Sequence, residues 1–249
     1  MAKKMKQIVA GQYVWKIVYT APFPHDGVKA RSEKKRASTA ARKAMNDKAA
    51  RRKLEMVLAS NFSRKDLFVT LTYDDAHLPC SLKEAKKKLR RFLDMLRDNR
   101  KKHHRACPYV YVTEHKHGEG RYHHHLVIGS NGSRADIEEI ASLWTNGTII
   151  DSKHIDERDF AALALYMTKE SAEDRPVGAQ MWTGSKGLKR PVESVVFVSD
   201  DTGISPPPRV VVLEREEKTV GEYGWYSYIK YFVPIERETE MRGAHFSDL

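Results

Sequence analysis

The sequence predicts an α+β protein built on a ferredoxin-like βαββαβ core with a central antiparallel sheet, preceded by a basic N-terminal helix and followed by a C-terminal extension. Three observations carry this. Short β-branched and aromatic runs alternate with helical repeats between residues 68 and 169 in the order β-α-β-β-α-β and then one more helix. Residues 30–60 lack Pro and Gly and are dense in Ala, Lys, Arg and Glu, all good helix formers. After Pro176 the pattern becomes irregular, around a PPP break at 206–208. The expected organisation is therefore 1–60 as a strand and basic helix or arm, 61–175 as the core, and 176–249 as an extension.

Residues 13–20 (YVWKIVYT) read as a strand, and Pro22, Pro24 and Gly27 then break the chain. The basic helix follows, apolar mainly toward its end at Leu54, Val57 and Leu58. FVTLTY (68–73) opens the core as a strand. Ser81, with Glu84 after it, forms a capping-box signature, and Leu82, Ala85, Leu89, Phe92 and Leu96 recur at helical spacing. YVYVT (109–113) and YHHHLVI (122–128) are strands joined across the turn HGEG (117–120). Arg134–Trp144 reads as a helix, Thr148–Ile150 as a short strand and Arg158–Lys169 as a helix. In the extension, strand candidates lie at 194–199, 209–213 and 226–233.

The 249 residues carry 44 Lys and Arg against 33 Asp and Glu, a net charge of +11. The excess is concentrated: Lys29–Lys53 is net +9 and Lys83–Arg105 net +8, which leaves the rest of the chain at −6. Two basic segments on a mildly acidic protein are what a polyanion-binding protein presents. Arg31, Lys34, Lys35, Arg36, Arg42, Lys43, Arg51 and Arg52 in the first, and Lys87, Arg90 and Arg91 in the second, are the candidate DNA-phosphate contacts. Trp182 and Trp225 are candidates for stacking on unpaired bases, or for the core. No apolar run approaches the ~20 residues that span a bilayer. The start, MAKKMKQIVAG, has no sustained apolar stretch of a secretory signal, so a cytoplasmic protein without a membrane is expected. Two cysteines, Cys80 and Cys107, exclude a disulfide scaffold and a zinc ribbon, and no P-loop motif is present.

Seven of the eleven histidines lie between 103 and 125. Strand alternation puts His123 and His125 on one face and His124 on the other, and two imidazoles ~6–7 Å apart on one face can chelate one cation. If HGEG closes a hairpin, Glu114 comes opposite the pair and adds a carboxylate oxygen. Such a set leaves coordination positions open, as metal-assisted phosphoryl transfer requires. A strand with surface histidines and no metal fits the same pattern. In DFAALALYMTKE (159–170), Tyr166 and Lys169 project from one side of a helix. A phenolate near a cation can attack a phosphodiester and become joined to it, whereas ordinary packing is the alternative for Tyr166.

Taken in order, FVTLTY, then Glu114 followed by GRYHHHLVI, then YMTKE resemble the three motifs of the HUH-superfamily rolling-circle replication initiators of phages, plasmids and integrative elements. The likeness spans about residues 66–171, and WTGSKGLKRP (182–191) is similar to the stretch beyond the core in some members. The resemblance implies an HUH endonuclease fold, with Glu114, His123 and His125 as ligands to Mg2+ or Mn2+, Tyr166 as nucleophile and Lys169 as its basic partner. It further implies a metal-dependent, strand-specific DNA endonuclease and ligase that forms a 5′-phosphotyrosine at a single-stranded or hairpin origin in a bacterial host, with a host helicase and polymerase as partners. His124 departs from the family, whose middle residue is usually bulky and apolar. The tyrosine comes after the histidines, unlike in relaxases, and Glu170 stands where single-tyrosine transposases of the superfamily usually carry Gln. Such a transposase, and a non-catalytic nucleic-acid-binding protein, are the other readings.

Overall fold

The computed structural model describes residues 2–21, 40–115, 121–156, 160–169, 180–219 and 225–234. In chain order these form β1 (Ala2–Ala10), β2 (Tyr13–Ala21), α1 (Ala40–Asn61), β3 (Leu67–Leu71), α2 (Leu82–Lys102), β4 (Tyr109–His115), β5 (Tyr122–Ile128), α3 (Arg134–Leu143), β6 (Ile149–His154), α4 (Phe160–Thr168), β7 (Thr183–Gly184), β8 (Val192–Val198), β9 (Val211–Thr219) and β10 (Trp225–Phe232). The fold is α+β, with two five-stranded antiparallel sheets and four helices among the described residues. No helix among them is long and apolar enough to cross a membrane.

The chain divides into two compact units, residues 36–189 and residues 1–35 with 190–249. This differs from the expected division at 60/61 and 175/176. The N-terminal strand pairs with strands of the C-terminal extension in one sheet, ordered β8-β1-β2-β10-β9, while the basic helix belongs to the other unit. β1 itself was not expected, because Lys3, Lys4 and Lys6 mask its β character. A two-residue turn joins it to β2, and Gly11 supplies the left-handed φ of 57° that such a turn needs. Val14, Val18, Ile204, Ile229, Tyr231 and Val233 form the core of this unit, and burial pushes the Tyr231 phenol up to about 12. Trp225 is half-buried and donates through Nε1 to Glu217, 2.9 Å away, a placement between the two readings of stacking surface and core.

The second sheet runs β6-β3-β5-β4-β7. Its faces are set by register and alternation. Leu67, Val69, Leu71, Tyr73, Tyr111, Leu126 and Ile128 share one face and bury against Leu89, Phe92, Leu93 and Leu96 of α2, Ile140 of α3 and Trp144. The expected apolar stripe of α2 is this contact, except that Leu82 at its start is 39% exposed. The capping box forms: Ser81 Oγ accepts from the Glu84 N–H at 3.2 Å, while the Glu84 carboxylate accepts from the Cys80 N–H at 2.8 Å, one residue before the expected partner. The other face carries Phe68, Thr70, His123 and His125, and α4 lies over it with Phe160, Ala164 and Met167 buried. α1 packs on α4.

β6 is longer than the expected strand at 148–150, reaching His154, and α4 is described from Phe160, residues 158 and 159 of the expected helix lying outside the described residues. The basic helix is described only from Ala40. Its expected beginning, with Arg31, Lys34, Lys35 and Arg36, and the turn 117–120 lie outside the described residues. From WTGSKGLKRP, β7 adds a short edge strand to β4, and Trp182 is half-buried with its Nε1 donating to the Ala50 carbonyl at 3.0 Å. That ties Trp182 to α1 rather than leaving it free to stack on bases.

A buried charged cluster locks the frame. The side chain of Arg100 at the end of α2 is fully buried; its Nε donates to Glu139 of α3 at 3.0 Å and its Nη1 to the Gly129 carbonyl after β5 at 2.5 Å. Arg105 pairs with Asp136, and Asn99 donates to Glu139 at 2.7 Å. Replacing Arg100 with Met removes the charge that balances Glu139 and the donor to Gly129; urea unfolding is expected to show a loss of about 3 kcal/mol.

Candidate active site

The β4–β5 register sets Glu114 directly opposite His123, with His125 two residues further along the same face. The His125 Nε2 lies 3.1 Å from Glu114 Oε2 and the His123 Nε2 lies 3.4 Å from the same oxygen. One ligand atom from each residue falls within 4.8 Å of the others, so the three can share a metal ion. The second oxygen, Oε1 of Glu114, is buried and meets no hydrogen-bond donor. Such an atom costs free energy unless a cation or donor reaches it, and this fits a metal-holding role.

Burial alone would raise the Glu114 carboxyl, but hydrogen bonds from His123 and His125, with their charge, outweigh it and bring the group down to about 2. Glu114 is thus ionised at neutral pH, as a ligand must be. The other ring nitrogen of His125, Nδ1, lies 3.1 Å from Thr70 Oγ1 on β3, and Phe68 stacks on the same ring at 5.7 Å between centroids. These contacts fix the imidazole so that Nε2 points at Glu114. Thr70 was not singled out from the sequence; its place two residues after Phe68 in FVTLTY, hence on the same face, is the signal that identifies it.

His124 points the other way, as alternation requires. Its Nε2 lies 2.7 Å from the Tyr73 hydroxyl and its Nδ1 2.9 Å from Thr113 Oγ1, inside the core covered by α2. It is not a ligand. Its departure from the usual apolar residue is met by two hydroxyl partners.

Tyr166 sits on α4 with its ring edge-on to His125 at 5.4 Å and to Phe68 at 5.6 Å. It is 44% exposed, so the phenol is not ordinary core packing. Lys169 Nζ stands 5.1 Å from the centre of the Tyr166 ring. The fold therefore brings all five sequence-singled residues, Glu114, His123, His125, Tyr166 and Lys169, to one face of one sheet. The sequence did not single out Lys153 of β6, whose Nζ is 6.0 Å from the same ring and which pairs with Asp151 at 3.0 Å.

Residues 66–171 match the family model of the replication-associated protein ORF2. Over that segment the chain is similar to this replication-associated protein family. No curated protein and no solved structure matches the chain. The matched segment holds the whole cluster from Glu114 to Lys169, including the His-x-His group.

The candidate phosphate contacts divide. Lys87, Arg90 and Arg91 are exposed on α2, but α2 covers the sheet face opposite the His and Glu cluster. Arg51 is half-buried and its Nε donates to Thr168 Oγ1 of α4 at 2.9 Å, so it braces the helix that carries Tyr166. Arg52 is likewise half-buried, whereas Arg42 is exposed and Lys43 half-buried nearer the start of α1.

Burial, with the nearby charges of His123 and His125, brings His124 down to about 3 from an ordinary imidazole value of 6.5. Above 6.5 both folded and unfolded chains leave it neutral. Below 6.5 the unfolded chain takes up a proton that the folded chain refuses until near 3, so native stability falls as pH drops through that window. This group alone contributes about 1.4 kcal/mol per pH unit. In metal-free protein, His124→Gln is expected to flatten the decline in urea midpoint between pH 6 and 4; an unchanged slope would assign the acid sensitivity to other groups.

Proposed function

We propose that the protein is a rolling-circle replication initiator: a metal-dependent, site- and strand-specific DNA endonuclease and ligase that works through a 5′-phosphotyrosine at Tyr166. The observation that carries the reading is the half-exposed Tyr166 ring standing 5.4 Å from that of His125, whose Nε2 faces Glu114. The strand order of β6, β3, β5 and β4, all antiparallel, supports the ferredoxin-like arrangement of an HUH endonuclease.

Glu114, His123 and His125 would hold a divalent cation, Mg2+ or Mn2+, which when bound supplies Lewis-acid polarisation of the scissile phosphate. Two imidazoles in the donor set favour Mn2+, and abundance favours Mg2+. The Tyr166 oxygen attacks phosphorus as its proton leaves to solvent. The bond to O3′ breaks, the departing oxygen takes up a proton, and the 5′ phosphate remains on the tyrosine. Lys169 places a positive charge beside the tyrosine, where negative charge builds as the bond forms. The phosphotyrosine conserves the bond energy, so attack by a 3′-OH on the same linkage rejoins the strand without ATP.

The released 3′-OH primes a host polymerase, and unwinding falls to a separate host helicase. Lys87, Arg90 and Arg91, on the far side of the sheet, would engage a stretch of DNA distant from the scissile phosphate. A denaturing gel of the protein with labelled single-stranded origin DNA tests the reading. With Mn2+ the wild type is expected to give a covalent adduct that EDTA abolishes; Tyr166→Phe gives none while still binding DNA, and His123→Ala with His125→Ala loses the metal-dependent reaction. Cleavage by Tyr166→Phe at the wild-type rate would remove the nucleophile from the proposal, and EDTA-indifferent binding with no adduct from any form would leave a non-catalytic DNA-binding protein.

A further inference from the structure

On the face of the sheet that carries the histidines, strand register lays out a line of chemistry. Glu114 and His123 pair across β4 and β5, Thr70 stands opposite His125 on β5 and opposite Asp151 on β6, and Phe68 stands opposite Lys153. Tyr166 leans over the middle of this line, against Phe68 and His125. The metal-holding trio lies toward β4, and Lys153 lies beyond the tyrosine toward the opposite edge.

The Lys153 ammonium is held. Asp151 Oδ2 is 3.0 Å from Nζ, which also lies 5.5 Å from the centre of the Phe68 ring and 6.0 Å from that of Tyr166. The Lys153 side chain remains 61% exposed, so a ligand can reach it from solvent. One cation thus stands on the nucleophile's side of the site, paired with a carboxylate and near two aromatic rings.

Resting on the reading of Tyr166 as nucleophile, we propose that Lys153 is a phosphate-binding subsite for the DNA backbone, taking the phosphate one nucleotide 3′ of the scissile one. In-line attack sends O3′, with the 5′ part of the strand, away from the tyrosine oxygen. The 3′ part stays bonded to the tyrosine through its 5′ phosphate, so its next phosphate remains on the tyrosine's side, where Lys153 stands. The subsite holds the 3′ segment before and after the nick, which keeps the covalent product in register for rejoining.

The test begins by mapping the nick with wild-type protein and Mn2+, from the position of the tyrosine linkage. Failure to obtain a linkage on any strand counts against the proposed function itself. With the nick mapped, the probe is a labelled oligonucleotide of that sequence in which single phosphates are replaced, one at a time, by uncharged methylphosphonate, and equilibrium binding is measured in EDTA so that no cleavage intervenes. Wild-type protein is expected to lose about three- to fivefold in affinity when the phosphate 3′ to the scissile one is neutralised, the size of an exposed ion pair. Lys153→Gln is expected to bind the unmodified strand with the same loss and to be indifferent to neutralisation there, while Lys153→Arg keeps the wild-type response. Equal losses in wild type and Lys153→Gln on neutralising that phosphate, or coupling to Lys153 at a different phosphate, would overturn the assignment and leave the nicking mechanism standing.

Discussion

The arrangement depends first on one register: β4 against β5 with Glu114 opposite His123. A slip of one residue would turn the histidine pair and the glutamate to opposite faces, since side chains alternate along each strand. The register is held from both sides. On the α2 side, His124 bridges Thr113 and Tyr73 within the core. On the α4 side, Thr70 and Phe68 seat the His125 ring. A buried ionised carboxylate is costly unless compensated, and here two imidazoles face one of its oxygens while the other is buried without a hydrogen-bond donor. The polar centre is therefore destabilising taken alone, and the apolar packing on the reverse face of the same strands maintains it.

That packing also separates two tasks. α2 and α3 bury the hydrophobic face of the sheet and are tied to each other by Arg100, Glu139 and Asn99. α4 lies on the polar face and is braced from behind by α1 through the bond from Arg51 to Thr168, whose hydroxyl donates in turn to the Ala164 carbonyl at 2.7 Å. The Thr168 bond closes on the turn that carries Tyr166. The position of the phenol over the histidines is thus set by a helix pair, and that of Glu114, His123 and His125 by the pairing of β4 with β5; the two meet where Tyr166 rests on Phe68 of β3 and His125 of β5.

Much of this was legible in the residues because it is local. Alternation separates His124 from its neighbours, the capping box marks the start of α2, and a Tyr and Lys three apart share a helix side. What was not legible is set by pairing between distant segments. Nothing in AKKMKQIVA announces that it will lie between YVWKIVYTA and VESVVFV, because its lysines read as solvated chain until the partner strands are known. Lys153 is a similar case. It comes after two isoleucines and an aspartate with no motif of its own, and it enters the site only because β6 pairs with β3 at Phe68. The bulge between Thr70 and Leu71 in that pairing is likewise invisible in one sequence.

Charge shows most clearly where local reading stops. A net +9 over Lys29–Lys53 invites the view that every cation there meets phosphate. Long side chains have a second use, since their stems cover apolar surface and their heads can satisfy buried acceptors. Arg51 on α1 and the fully buried Arg100 on α2 are used in that way, and in the other unit Lys230 is 4% exposed and faces Glu214 at 3.3 Å. Each such residue adds to the formal charge of the chain while its head group is committed inside the fold. The outward field of the protein is consequently weaker than the composition states and more unevenly distributed: the exposed cations on α2 lie on the sheet face away from Tyr166, while Lys153 and Lys169 stand near its ring. On the proposed reading, backbone attraction over a broad surface and placement of one phosphate beside Tyr166 would be separate tasks, carried by different lysines and arginines on opposite faces of the same sheet.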